Sequence, residues 1–373
     1  MKNYQIKNVR TINTIQYERM VRFLLKNAEN ERIYRNMIVF GPAGVGKTKI
    51  AEQLVKESGM KLVYINLSVM EATDFLGIPQ VVDGVTRWAP PDLFTKENEP
   101  SVVLLDELDK SARELQAPLL EFFQDQSIMG RKTGTKVIIA TANMPDEGAF
   151  SNEISRPVAN RSLIYTLQPS IDGWVSWASN NKVHPLITGY LMKNPGQILV
   201  DHESEDEQTL TKPSPRSWTM ASGVLGLMEN NNMTVKDQIM AIEGYVGTEA
   251  AIKFQVWLTY YVKIDGLVDD LLNGKKVQSK YDRLSMDERF VFIMSAMDRS
   301  VSAIEGSNYS PSRDDIKKLN RVVQFMQNVP PEMAIGSIRA SVSPNGFIRM
   351  VDIDGVDKKS FDSIINKLIE ALS

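Results

Sequence analysis

Met37-Ile-Val-Phe40-Gly41-Pro42-Ala43-Gly44-Val45-Gly46-Lys47-Thr48 decides how the rest of the chain is read. An apolar run meets a glycine-rich turn and then a helical pattern over Thr48–Ser58. Its stripe of Ile50, Ala51, Leu54 and Val55 ends at Gly59, a helix stop. The turn matches G-x-x-x-x-G-K-[ST] in full, and it stands between a strand and a helix, where that motif works. Glycines let successive backbone N–H groups curl around phosphate oxygens, and the helix N-terminus adds partial positive charge. Gly41, Pro42, Ala43, Gly44, Val45 and Gly46 are therefore expected to cradle a nucleoside triphosphate. Lys47 is expected to reach its β- and γ-phosphates, and Thr48 to place a hydroxyl on Mg²⁺.

Working outward, further short apolar runs fall at Leu62–Leu67, Ser101–Glu107, Lys136–Asn143 and Ser162–Leu167. With Met37–Phe40 they predict a parallel five-stranded sheet, buried on both faces, in an α/β P-loop NTPase core. Ser101–Glu107 ends in two carboxylates. Asp106 at the strand tip is suited to hold Mg²⁺ through its water shell, and Glu107 to polarise a water for attack on the γ-phosphate. That water-activating acid favours hydrolysis over a small-molecule kinase.

Taken together, these features resemble the AAA+ ATPases, and within them the MoxR-like group of bacteria, archaea and phages. GPAGVGKT (41–48) looks like Walker A and VVLLDELDK (102–110) like Walker B. IIATANMP presents Asn143, similar to the family's polar sensor of the γ-phosphate and attacking water. ISRPVANRSL (154–163) resembles the segment whose arginine projects into a neighbouring subunit's nucleotide, which aligns with Arg161 and leaves Arg156 as a second candidate. Ser162 stands where the family usually has an aromatic residue. SPRSW (214–218) looks like the second sensor, carried on a helical lid, with Arg216 over the γ-phosphate.

The resemblance implies ATP and Mg²⁺ as cofactors and ATP hydrolysis at the subunit interfaces of a homo-oligomer, a hexameric ring. It also implies chaperone-like remodelling of a protein partner, in some members a von Willebrand factor A-domain protein. The lysine-only loop supports the same view, because a neighbour's arginine contributes on the order of 10³–10⁵ in rate. The alternative is a nucleotide-gated loader acting on nucleic acid or an assembly. MoxR-like proteins also carry a hairpin between the second strand and Walker B. Asp83-Gly84 between apolar runs reads as its turn, and Phe75, Leu76 and Trp88 are candidates either to grip a substrate at a pore or to pack against the core.

Residues 1–35 are expected to form a helical linker, with Ile15, Met20, Val21, Leu24 and Leu25 sharing one face. Residues 36–168 then form the nucleotide-binding domain, 169–264 the lid and 265–373 a helical C-terminal region. A capping box at Ser285-Met-Asp-Glu288 opens one late helix. Ile316, Leu319, Val323 and Met326 stripe another, and Phe361, Ile364, Ile365, Leu368 and Leu372 the last. The acidic stretch 201–207 reads as a solvated, mobile connection, and His184 before Pro185 as structural.

Composition sets the outer bounds. The 373 residues are 43% hydrophobic and 24% charged, ordinary for a globular chain. The absence of cysteine excludes disulfides, thiol nucleophiles and iron–sulfur centres, and two histidines are too few for a histidine-ligated metal centre. Lys and Arg number 43 against 46 Asp and Glu, so the chain is no bulk polycation, and it has no basic run or zinc finger to favour nucleic acid. No apolar run reaches 18 residues and MKNYQIKNVR lacks an apolar signal region, so a cytoplasmic protein off the membrane is expected.

Overall fold

The computed structural model describes residues 6–30, 32–144, 154–199, 210–231 and 233–372. The acidic stretch 201–207 lies outside the described residues. The chain divides into two compact units, Lys2–Ser170 and Ile171–Ser373.

The first unit is built on six strands: β1 (Arg10–Ile12), β2 (Asn36–Phe40), β3 (Lys61–Asn66), β4 (Ser101–Asp106), β5 (Thr135–Ala142) and β6 (Leu163–Leu167). They lie in the order β1-β6-β2-β5-β4-β3, and every neighbouring pair is parallel. The central strands are short and almost continuously apolar because helices cover both faces. Met37, Ile38 and Val39, Val102 to Leu105, and Val137 to Ala140 are all buried.

The expected five-stranded sheet gains a sixth strand, β1, inside the segment read as a helical linker. It is only three residues long and pairs Arg10 with Tyr165 and Ile12 with Leu167. With one buried residue it shows no alternation for a sequence reading to detect. Helix α1 (Thr14–Lys26) follows, opened by a reciprocal capping box between Asn13 and Gln16. Its buried face is Tyr17, Val21 and Leu24, so the expected stripe is rotated and Ile15 points out. Helix α2 (Lys47–Ser58) buries Ile50, Ala51, Leu54 and Val55 as expected and stops at Gly59 in a left-handed conformation.

The second unit is helical, and among its described residues there is no strand. Its core is the helix Met286–Gly306, which opens at the Ser285–Glu288 capping box and buries Phe290, Val291, Phe292, Ile293, Met294 and Met297. Helices Thr248–Leu272, Arg313–Met326 and Pro331–Ser341 pack around it. Arg313–Met326 buries Leu319, Val323 and Met326, and the last helix buries Phe361 and Ile364 while Ile365 is exposed. Thr248–Leu272 runs unbroken through the boundary expected at residues 264/265. Tyr190 sits 5.4 Å from Trp218 and 5.2 Å from Phe254, ring centre to ring centre, in a second aromatic cluster. His184 caps the helix Pro185–Lys193 by accepting from the Leu186 N–H, a structural role. Among the described residues no helix is long and apolar enough to cross a membrane.

Candidate nucleotide site

Parallel strands end at one edge of their sheet, and in open α/β sheets that carboxyl edge is where ligands bind. Three of those ends carry the residues of interest: Gly41 follows β2, Asp106 closes β4 and Asn143 follows β5. Gly41 passes so close to the end of β6 that a Cβ would stand 2.6 Å from the Leu167 carbonyl oxygen. Gly46 has φ 99°, a left-handed conformation that turns the loop into α2.

Lys47, the first residue of α2, is buried. Its ammonium donates to the carbonyl oxygens of Gly41 (2.5 Å) and Pro42 (3.0 Å) and to Asn143 Oδ1 (3.3 Å). The cation thus lies inside the loop expected to cradle phosphates. Beneath it, the Tyr17 hydroxyl of α1 donates to the Lys47 carbonyl at 3.0 Å. Burial, and then the charge of Asp106, raise the Tyr17 pKa well above the usual phenol range, so the donor stays protonated.

Three hydroxyls converge on Asp106. Thr48 Oγ1 donates to Oδ1 at 2.8 Å, Tyr64 donates to Oδ2 at 2.9 Å, and Thr141 makes a short bond to Oδ1. Sheet register explains the two that come from strands. Asn66 of β3 faces Asp106, so Tyr64 two residues earlier shares its face. Burial raises the Asp106 pKa, but the three hydroxyls and the Lys47 charge outweigh it and hold the carboxyl below its ordinary value. Burial, then the hydrogen bond to Asp106, push Tyr64 up to about 12. An ionised carboxylate touching a hydroxyl is an oxygen set that fits a hard cation. Mg²⁺ is typically bound through one or two carboxylates plus phosphates and water, without an all-protein cage.

Glu107 adopts φ 57° and ψ 47°, a left-handed turn that takes the chain out of β4 into the 3₁₀ turn Leu108–Lys110. Burial raises its pKa, but hydrogen bonds from Ser68 and Lys110 prevail and lower it, with Lys110 Nζ 3.0 Å from Oε1. It is a carboxylate at neutral pH, as a water-polarising base must be. Asn143 is held by Asp109. The backbone N–H donates to Asp109 Oδ1 at 2.9 Å, and Nδ2 to Oδ2 at 3.4 Å.

The structure therefore brings Lys47, Thr48, Asp106 and Asn143 together, with Glu107 beside them. Arg161 is elsewhere in the same unit. Leu163 pairs with Met37 at the start of β2, whereas the loop begins after its end. At about 3.3 Å per residue the Arg161 backbone stands on the order of 15 Å away. Its guanidinium donates to the Pro157 carbonyl (2.8 Å) and to Gln124 Oε1 (2.9 Å). Arg156 is exposed at the start of the short helix Arg156–Ala159. Arg216 is exposed in the first turn of Pro215–Asn230, in the second unit.

The hairpin is present as strands Ile78–Val82 and Val85–Ala89. Asp83 and Gly84 both have positive φ, as a type I′ turn requires. Phe75 is not available to grip a substrate. It is fully buried, edge-on to Phe94 at 5.3 Å and to Phe122 at 5.7 Å. Leu76 and Trp88 are half-buried. Four site residues escaped sequence reading: Tyr17, Tyr64, Thr141 and Asp109. Only Asp109 left a local trace, as the third acid of DELD; the others act across elements.

Fold and site geometry together are those of an AAA+ P-loop domain. Residues 37–156, about a third of the chain, match the family described as ATPase family associated with various cellular activities (AAA), so this stretch is an AAA ATPase domain, of a family whose members hydrolyse ATP. The ATP-dependent Clp protease ATP-binding subunit ClpX of Porphyromonas gingivalis is 26% identical over 144 residues, 37% of this chain and 34% of that protein. The probable 26S proteasome regulatory subunit 6B of Caenorhabditis elegans is 31% identical over 119 residues, 29% of this chain and 27% of that one. The ATP-dependent zinc metalloprotease FtsH of Hahella chejuensis is 37% identical over 81 residues, 21% of this chain and 12% of that one. The chain spans about a third or less of the length of these relatives.

Proposed function

We propose that this protein hydrolyses ATP to ADP and phosphate at sites completed between copies of itself, and uses the cycle to remodel a protein partner. The observation that carries the reading is the separation within one unit. Lys47, Thr48, Asp106, Glu107 and Asn143 gather at one edge of the sheet, while Arg161 stands at the far end of the strands.

Phosphoryl transfer spreads negative charge over the γ-oxygens and the bridging oxygen, so catalysis is mainly positioning and cations. On binding, Lys47 exchanges two carbonyl oxygens and Asn143 Oδ1 for phosphate oxygens. Thr48 and Asp106 would hold Mg²⁺, which supplies charge neutralisation at the phosphates. Glu107 takes the proton of the attacking water. Arg161 of one copy would meet the γ-phosphate held by the next, in a hexameric ring, and Arg216 would act from the helical unit as a lid. Support for a protein partner comes from the relatives, whose names place them in a Clp protease, a 26S proteasome and a zinc metalloprotease. The inserted hairpin supports the MoxR-like assignment, in which a von Willebrand factor A-domain protein is the expected partner class.

Subunit mixing tests the shared site. Lys47→Ala and Arg161→Ala preparations, each inactive, should recover ATPase activity when co-assembled, because some interfaces pair an intact loop with an intact arginine. No recovery at any ratio, with mixed assembly verified, refutes the trans role of Arg161.

A further inference from the structure

The geometry points to Asp109 as the positioning residue that fixes which end of the Asn143 amide faces the nucleotide, a role that rests on the ATPase reading above. Asp109 is buried, in the 3₁₀ turn two residues beyond Glu107, and both its oxygens are used on Asn143. An amide has a donating end and an accepting end, and its partners decide between them. Here a carboxylate, which accepts, meets Nδ2, and an ammonium, which donates, meets Oδ1 at 3.3 Å. Asn143 is oriented from both sides, and the alternative flip would set its N–H groups against the Lys47 cation.

Once Lys47 turns to the phosphates, Asp109 still holds Nδ2, so Oδ1 stays facing the chamber as an acceptor without its donor. The group that satisfies it is the O–H of the attacking water. That water's oxygen forms a bond to the γ-phosphorus, the bridging P–O bond breaks to release ADP, and the proton passes to Glu107. Asn143 thereby aims the nucleophile through its oxygen, and Asp109 sets that aim.

Exchanging the two side chains leaves the net charge unchanged and tests this role. In Asp109→Asn, Oδ1 still accepts from the backbone N–H of residue 143, but the new amide N–H groups confront Nδ2 of Asn143 and turn it over. Turnover at saturating ATP should fall about 10–100-fold, with ATP affinity within about threefold of wild type. Asn143→Asp should lose at least as much, because two carboxylates face each other. Combining the two substitutions re-creates the pair with its roles exchanged, a donor at 109 meeting an acceptor at 143, keeps an acceptor at 143 facing Lys47 and restores the original net charge, so at least about tenfold of the lost turnover should return. Circular dichroism and melting temperature verify each fold. If Asp109→Asn does not fold, the comparison of Asn143→Asp with the double variant decides alone. Unchanged turnover in Asp109→Asn overturns the role, as does a double variant no faster than the slower single one. A wild type that binds ATP without splitting it overturns the ATPase reading and this role together.

Discussion

Replacing Thr141 by Val probes the Asp106 cluster with the least disturbance. The side chains are nearly equal in volume and both suit a strand, so the change removes one hydroxyl from a buried position. Thr141 makes a short bond to Asp106 Oδ1 and accepts from the Glu107 N–H at 3.4 Å. A hydrogen bond to a charged group contributes about 1.5–3 kcal/mol. Thr48 and Tyr64 remain on Asp106, which argues for the middle of that range, about 2 kcal/mol. In a unit of this size, that corresponds to a fall of roughly 4–8 °C in melting temperature. The pH dependence has a definite sign. A carboxyl whose folded pKa lies below its unfolded value stabilises the fold above the unfolded pKa, near 3.9, and loses that contribution as pH falls through the folded pKa. The deficit of Thr141→Val is therefore full at pH 7 and shrinks only as pH falls below the ordinary carboxyl range, through the lowered folded pKa of Asp106. Urea unfolding of the nucleotide-binding unit across pH 3–8 measures it, with Thr141→Ser as the hydroxyl-retaining control. A loss under about 0.5 kcal/mol at pH 7, or one that grows on acidification, refutes the account.

Other substitutions test single parts. Lys47→Ala removes the loop cation, and ATP affinity should fall by about 10–100-fold, read by titration with a fluorescent analogue; normal affinity would discredit the loop assignment. Glu107→Gln keeps the shape without the base, so ATP should stay bound while turnover drops by about 10²–10⁴; unchanged turnover counts against the role. Phe75→Ala should cost about 3–5 kcal/mol in unfolding experiments. A stable Phe75→Ala protein that fails only on a partner would reverse its assignment to the core.

Much of the site was legible because its chemistry is local. Gly41 to Thr48 carry loop, cation and hydroxyl within eight residues, and the carboxylates Asp106 and Glu107 are adjacent. Strand limits read from apolar runs shifted by one residue, since burial and hydrogen bonding do not end together. What escaped was cross-strand geometry. Tyr64 reaches Asp106 only because β3 and β4 pair Asn66 with Asp106, and Thr141 only because β5 lies beside β4. β1 is too short to announce itself, and α1 turned its stripe because Tyr17 fills the space beneath Lys47. Phe75 carried two readings until Phe94 and Phe122, distant in sequence, closed around it.

The self-held ammonium of Lys47 has a consequence for discrimination. Its water shell has already been stripped by the fold, and its protons already rest on neutral oxygens. A newcomer must outbid carbonyl groups, which an anionic phosphate does and a neutral or weakly charged metabolite does not. The loop would thus act as a threshold: polyanions with several oxygens to offer displace the carbonyls from the ammonium, and neutral sugars and nucleosides do not.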